Sequence, residues 1–226
     1  MKKVISYSLW GNDDRYLVGA IRNVEQAKEM FEDWVCRFYI DKDVKTSFVE
    51  ELSKFESVEI VQVTANRNFD GMFWRFFAAS DNDVDVMLSR DTDSRFSLRE
   101  VHAVKEWLES DKKFHIIRDH PYHNVSIMGG MWGCKKGVID IGTLLKGWTS
   151  YERKGCDQDF LGQLVWPIVK DESMIHDEVT NLLSNNTFKI PRDGYNFIGD
   201  AIGADDKRLD DDGYNALKRI VGNNEN

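Results

Sequence analysis

Apolar positions in this chain change their period repeatedly, and the changes outline alternating strands and helices. Residues 4–9 (VISYSL) form a short β-type run that stops in the turn cluster Trp10-Gly11-Asn12-Asp13-Asp14. Leu17, Ile21, Val24 and Phe31 then recur at helical spacing, which predicts an amphipathic helix. Residues 34–40 (WVCRFYI) read as a second strand closed by Asp41-Lys42-Asp43, followed by a polar helical stretch and a third strand over 58–63. The aromatic segment 72–79 (MFWRFFAA) predicts a mostly buried helix, and 84–88 (VDVML) a fourth strand. Ser97-x-x-Glu100 is a capping box that opens a helix with Val101, Val104, Trp107 and Leu108 inward. A fifth strand at 114–117, a strand-like segment at 126–134, helices near 139–148 and 157–169 and a short strand at 173–176 complete the series. Strands alternating with helices predict one α/β domain over 1–204, with a mainly parallel, mixed sheet covered by helices on both faces. Residues 205–226 read as a peripheral C-terminal helix and a tail with a frayed end. Ligands of such sheets sit where strands end at their carboxyl edge, so the loops after strands carry the most information.

Composition narrows the partners. At 226 residues the chain is long enough for one core of its own, and 42% hydrophobic content excludes general disorder. A net charge of -9 argues against nucleic acid or anionic lipid as a partner. An anionic nucleotide still fits if a divalent cation bridges it to the protein. Cys36, Cys134 and Cys156 are far apart and form no C-x-x-C pair, so neither a zinc ribbon nor a disulfide framework is expected. The first apolar stretch is too short for a signal segment and no later run approaches a membrane span, so a cytoplasmic location is expected.

The candidate chemistry starts at Asp91-Thr92-Asp93. Asp-x-Asp spacing alone means little, because it recurs at Asp41/Asp43, Asp81/Asp83, Asp83/Asp85, Asp157/Asp159 and Asp210/Asp212. Position discriminates: the pair at 91 and 93 follows a strand of buried character, where the chain emerges at the ligand-bearing edge, and is flanked by Arg90 and Arg95. Two carboxylates there suit Mn²⁺ or Mg²⁺, which neutralises a departing diphosphate. The plainer reading is a solvated acidic turn before the helix capped by Ser97.

Several segments in order resemble the nucleotide-sugar glycosyltransferases of the GT-A fold, most of all the small glycosyltransferase domains of large algal DNA viruses and their bacterial relatives. They are Ser8-Leu9-Trp10-Gly11, Trp34-Val35-Cys36-Arg37-Phe38-Tyr39, Phe73-Trp74-Arg75-Phe76, Ser89-Arg90-Asp91-Thr92-Asp93-Ser94-Arg95, Arg118-Asp119-His120-Pro121-Tyr122-His123, Gly129-Gly130-Met131-Trp132-Gly133, Asp157-Gln158-Asp159 and Met174-Ile175-His176-Asp177. The order also parallels the retaining galactosyltransferase and glycogenin type. The resemblance implies a metal site of Asp91, Asp93 and His176, with Asp157 or Gln158 at the reacting sugar. The chain departs from that type in having no His-x-x-Gly-x-x-Lys after His176.

The remaining candidates each carry two readings. Ser8, Leu9 and Trp10, in the loop after the first strand, are placed to hold the base and ribose, with Asp91 and Thr92 beside them. Arg75, alone in an aromatic helix, needs an anionic partner if buried, either Asp91, Asp93 or a phosphate. His120 and His123 either touch donor sugar or acceptor, or stabilise their loop. Gly129 and Gly130 either admit the donor sugar to the backbone or make a tight bend. Asp157 and Asp159 open a helix, where capping alone would explain one of them. His176 is a metal ligand or a satisfied histidine at a strand end. His102 and His115 read as structural.

The expectation is therefore a metal-dependent glycosyltransferase that moves a hexose from a UDP-sugar to the hydroxyl of a glycan or glycoprotein. UDP and glucose rest on the resemblance. Retention follows from the lack of an isolated carboxylate to serve as base. The rivals are a metal-dependent phosphohydrolase or nucleotidyltransferase, and a non-catalytic carbohydrate-binding module on the same fold.

Overall fold

The computed structural model describes residues 1–180 and 184–222. Seven strands form one sheet in the order β3-β2-β1-β4-β6-β5-β7. They are β1 (Lys3–Leu9), β2 (Trp34–Asp41), β3 (Val58–Val63), β4 (Val86–Ser89), β5 (Phe114–Arg118), β6 (Trp132–Lys135) and β7 (Ser173–Asp177). β1 runs parallel to both β2 and β4, and β5 parallel to β7. Only β6 is reversed, antiparallel to β4 and to β5. The sheet is thus mixed and mainly parallel, as the alternation predicts.

Strand alternation builds a core on each face. Ile5, Tyr7 and Leu9 of β1 and Val86 and Leu88 of β4 point one way. They pack under α1 (Asp14–Met30), α2 (Thr46–Leu52) and α4 (Leu98–Glu109). Val4 and Met87 point the other way, toward α3 (Gly71–Trp74), α5 (Ile141–Lys146), α6 (Cys156–Phe160) and α7 (Trp166–Val169). Ser6, Ser8 and Ser89 alternate onto this second face, so the strand ends there are polar and small. α1 starts at Asp13, whose side chain accepts from the Arg15 N–H at 2.9 Å. Ser97 caps α4 by accepting from the Glu100 N–H at 3.2 Å, but Glu100 does not close the box. Its carboxylate turns instead to Arg90, 3.1 Å away.

Some elements are shorter than the sequence predicts. The aromatic stretch 72–79 breaks into α3 and a tight turn over Phe77–Ala79. Residues 126–131 are irregular, and pairing in β6 begins only at Trp132. The long helix expected over 157–169 is a continuous helical segment that widens over Leu161–Val165, just before Pro167 and α7. Proline has no N–H to give the preceding turn, which accounts for the widening. A helix closes the described chain, α8 (Asp212–Val221), where the tail helix was expected. The expected frayed end at 223–226 lies outside the described residues. No described helix is long and apolar enough to cross a membrane.

Candidate active site

Two parallel strands, β1 and β4, end side by side, and the chain leaves both toward the same cleft. Its inner part is lined by Ser8, Leu9, Trp10, Tyr16, Arg75, Arg90, Asp91, Thr92 and Asp93. The outer part has a cavity volume of about 390 Å³ and adds Phe69, Met72, His123, Met128, Gly129, Gly130, Met131, Lys154, Asp157, Gln158 and Gly199. Such a volume suits a nucleotide-sized ligand.

Arg75 ties the walls together. Its backbone N–H donates to the Ser8 hydroxyl at 2.8 Å, which fixes α3 on the end of β1. The guanidinium donates to the Gly129 carbonyl at 3.2 Å, and pairs with Asp91 at 3.2 Å and Asp157 at 2.7 Å. Both Arg75 and Asp157 are buried, so each offsets part of the other's desolvation. Burial, only partly offset by Arg75, raises the Asp157 pKa above its ordinary value, so the carboxyl is a weaker acid. Asp157 Oδ1 is buried with no hydrogen-bond partner among the described residues.

Asp91 is half-exposed in the cleft, while Asp93 lies deeper, with Arg15 3.8 Å from its carboxylate. Burial first, and the charge of Asp91 second, push the Asp93 carboxyl up to about 6. Two carboxylates this close, incompletely matched by cations, are a natural seat for a divalent ion. The turn carrying them is held from behind. Arg90 donates to the Gly130 carbonyl and the Ser94 hydroxyl, each at 3.2 Å, and Ser94 donates to the Asp91 carbonyl at 3.1 Å. The Thr92 carbonyl accepts from Asn23 of α1 at 3.1 Å. From the other side the Ile202 N–H donates to the Asp93 carbonyl at 2.7 Å, so the C-terminal segment braces the same turn.

The glycines serve this charge cluster. A Cβ on Gly129 would run into both the Arg75 guanidinium and the Asp157 carboxylate, and one on Gly130 into the Asp91 carboxylate. They make room for protein side chains, a reading that neither sugar access nor a tight bend anticipates. Ser89 fixes the segment by donating to the Gly129 carbonyl at 2.7 Å.

Two predicted residues do not join the cleft. His176 is fully buried on β7, three strands beyond β4 in the sheet, and is not a ligand of the Asp91/Asp93 site. Its Nδ1 meets His115 Nε2 at 2.9 Å, and its Nε2 faces Glu106 at 3.3 Å and Asn186 at 3.0 Å. This is the satisfied histidine at a strand end. His120 is likewise structural. Its Nε2–H donates to the Gly213 carbonyl at 2.8 Å, its Nδ1 accepts from the Tyr122 N–H at 3.0 Å, and its ring lies against Phe197. Neither nitrogen is left for a sugar. His123 does line the cleft; its Nδ1 accepts from the Asp119 N–H at 3.1 Å, which places the ring proton on Nε2. Burial, with His120 and the Arg118 charge adding to it, lowers its pKa to about 3, so the ring is neutral.

The sequence reading missed Tyr16, Lys154, Met72 and Met128. Tyr16 sits beside Leu17 in the first turn of α1, and helical period alone gives such flank positions no role. Lys154 belongs to a loop without periodicity. Among the described residues no three His, Cys, Asp or Glu side chains converge on one point. A cation held by Asp91 and Asp93 would take its remaining ligands from water and phosphate, as small hard cations do. The donor set fits.

No protein-family model matches this sequence, and no curated protein matches it. Solved structures do match in fold. The galactosyltransferase LgtC, solved with donor and acceptor sugar analogues, superposes with a TM-score of 0.51 at 12% identity, over 99% of this chain and 96% of that one. A glycosyltransferase involved in glycosylation of the major capsid of PBCV-1 gives a TM-score of 0.50 at 13% identity, over 78% of this chain and 82% of that one. The chain therefore has the GT-A glycosyltransferase fold, resembling the PBCV-1 enzyme and LgtC.

Proposed function

We propose that this chain is a metal-dependent glycosyltransferase, moving a hexose, glucose foremost, from a UDP-sugar to a glycan or glycoprotein hydroxyl with retention. The observation that carries this reading is the meeting of Asp91 and Asp93 with Arg75, Asp157 and Gln158 around one cleft at the ends of β1 and β4. Mn²⁺ or Mg²⁺ at the two carboxylates supplies neutralisation of the diphosphate as the bond to the sugar breaks. The protein does the positioning. Ser8, Leu9, Trp10 and Thr92 take the nucleoside in the inner pocket. Arg75 holds Asp91 and Asp157 at a fixed separation, and Gln158 presents its amide to the sugar. His123 offers a neutral N–H donor at the sugar and acceptor end.

Retention is supported by what the carboxylates are doing. Inversion needs a base that reaches the acceptor hydroxyl. Of the three acids lining the cleft, Asp91 and Asp93 are assigned to the cation. Asp157 is 1% exposed and bound to Arg75. No carboxylate on the cleft wall is left for the task.

The test is incubation with a panel of nucleotide sugars and Mn²⁺, with and without glycan acceptors. The expected outcome is metal-dependent UDP release from a UDP-hexose, faster with acceptor, and a product of unchanged anomeric configuration by NMR. Release from none of the sugars would indicate a binding module, and equal cleavage of diphosphates lacking sugar a phosphohydrolase. Either result overturns the proposal.

A further inference from the structure

We infer that Lys154 is a ligand of the donor diphosphate, closing on it from the α6 side of the cleft mouth; this rests on the UDP-sugar reading above. The charged side chains on the outer cleft are the cations Arg75 and Lys154 and the carboxylates Asp91, Asp93 and Asp157. Arg75 is already matched by Asp91 and Asp157. Lys154 is exposed, and among the described residues no carboxylate lies within ion-pairing distance of its ammonium. Of the acids near it in sequence, Asp157 is taken by Arg75 and Asp159 by Arg153, and the exposed Glu152 lies outside ion-pairing distance.

The backbone directs Lys154 to this place. Gly155 adopts φ 87°, a left-handed conformation that turns the chain abruptly into α6. The Arg153 guanidinium donates back to the Lys154 carbonyl at 3.3 Å, which steadies the turn. Lys154 therefore stands at the entrance, and Asp157 at the wall below it.

Charge balance supplies the reason for a lysine there. Arg75, Lys154 and, beside Asp93, Arg15 face three carboxylates, so the cleft holds no surplus positive charge before a ligand enters. A diphosphate brings more negative charge than one divalent ion cancels once Asp91 and Asp93 are counted. The unmatched ammonium offsets the remainder, and its three rotatable donors on a flexible stem can follow phosphate oxygens as the leaving group moves.

The experiment is calorimetric titration of UDP, UMP and uridine, each with Mn²⁺, into the wild type, Lys154→Met and Lys154→Arg. UDP affinity is expected to fall about tenfold in Lys154→Met, the scale of one charge-assisted contact, with uridine unchanged and Lys154→Arg close to wild type. Unfolding temperatures of the three proteins should coincide, because the side chain is exposed. An unchanged UDP affinity in Lys154→Met overturns the inference, as does an equal loss for UDP and uridine. A rise in acceptor KM with UDP affinity intact also overturns it, since Lys154 would then contact the acceptor. Failure of the wild type to bind UDP with Mn²⁺ overturns the UDP-sugar reading itself, and this inference with it.

Discussion

At the scale of single residues, Asp93 links stability to function most directly. Its carboxyl is raised to about 6 from an ordinary 3.8, chiefly by burial and then by Asp91. Around pH 5 the folded chain holds a proton that the unfolded chain has lost. Stability therefore declines as pH rises from about 4 to about 6 and stays lower above that. Without metal, Asp93→Asn is expected to raise Tm at pH 7 by a few degrees, on the order of 1 kcal/mol, and to remove this slope. Thermal scans from pH 4 to 8 check it; a variant less stable than wild type at pH 7 would contradict the electrostatic account. Metal ligation needs the ionised carboxylate, so Mn²⁺ affinity of the wild type is expected to drop as pH falls through 6. A flat Mn²⁺ affinity between pH 5 and 7 would speak against Asp93 as ligand. The two glycines show how far a sequence can speak at this scale. Gly129 and Gly130 were legible as places where a Cβ is unwelcome, but what they accommodate, Asp91 and the Arg75–Asp157 pair, comes from segments far away in the chain.

At the scale of elements, Arg75 joins α3 to β1, to the turn after β4, to the segment before β6 and to α6. Its need for an anionic partner was legible from one arginine among aromatic residues. The identity of the deeper partner was not, because Asp157 arrives from a segment about eighty residues on. Arg75→Met leaves Asp157 buried without its cation and is expected to cost about 3–5 kcal/mol. Adding Asp157→Asn is expected to recover a large part of that loss, because the uncompensated charge disappears. A double-mutant cycle by urea denaturation measures the coupling. Strict additivity would show that the pair is not the connector described here.

At the scale of the whole molecule, strand and helix alternation reads out well, since each element's hydrophobic face reports which side it buries. The reversal of β6 was not legible: residues 126–131 have no regular period, and direction in a sheet depends on neighbours distant in sequence. Misplacing His176 has the same origin. The resemblance to the galactosyltransferase and glycogenin type suggested the cleft, whereas strand order carries His176 past β6 and β5 to the sheet margin, where His115, Glu106 and Asn186 satisfy it. The acid pair reaches the cleft because β4 is central and parallel to β1, so the carboxyl ends of both strands open on the same side. Titration of UDP with and without Mn²⁺ at pH 7, into the wild type and Asp93→Asn, tests that placement most directly. The account predicts UDP binding that requires Mn²⁺ in the wild type and is lost in the folded variant. Equal UDP affinity in the two proteins, or binding indifferent to Mn²⁺, would contradict it.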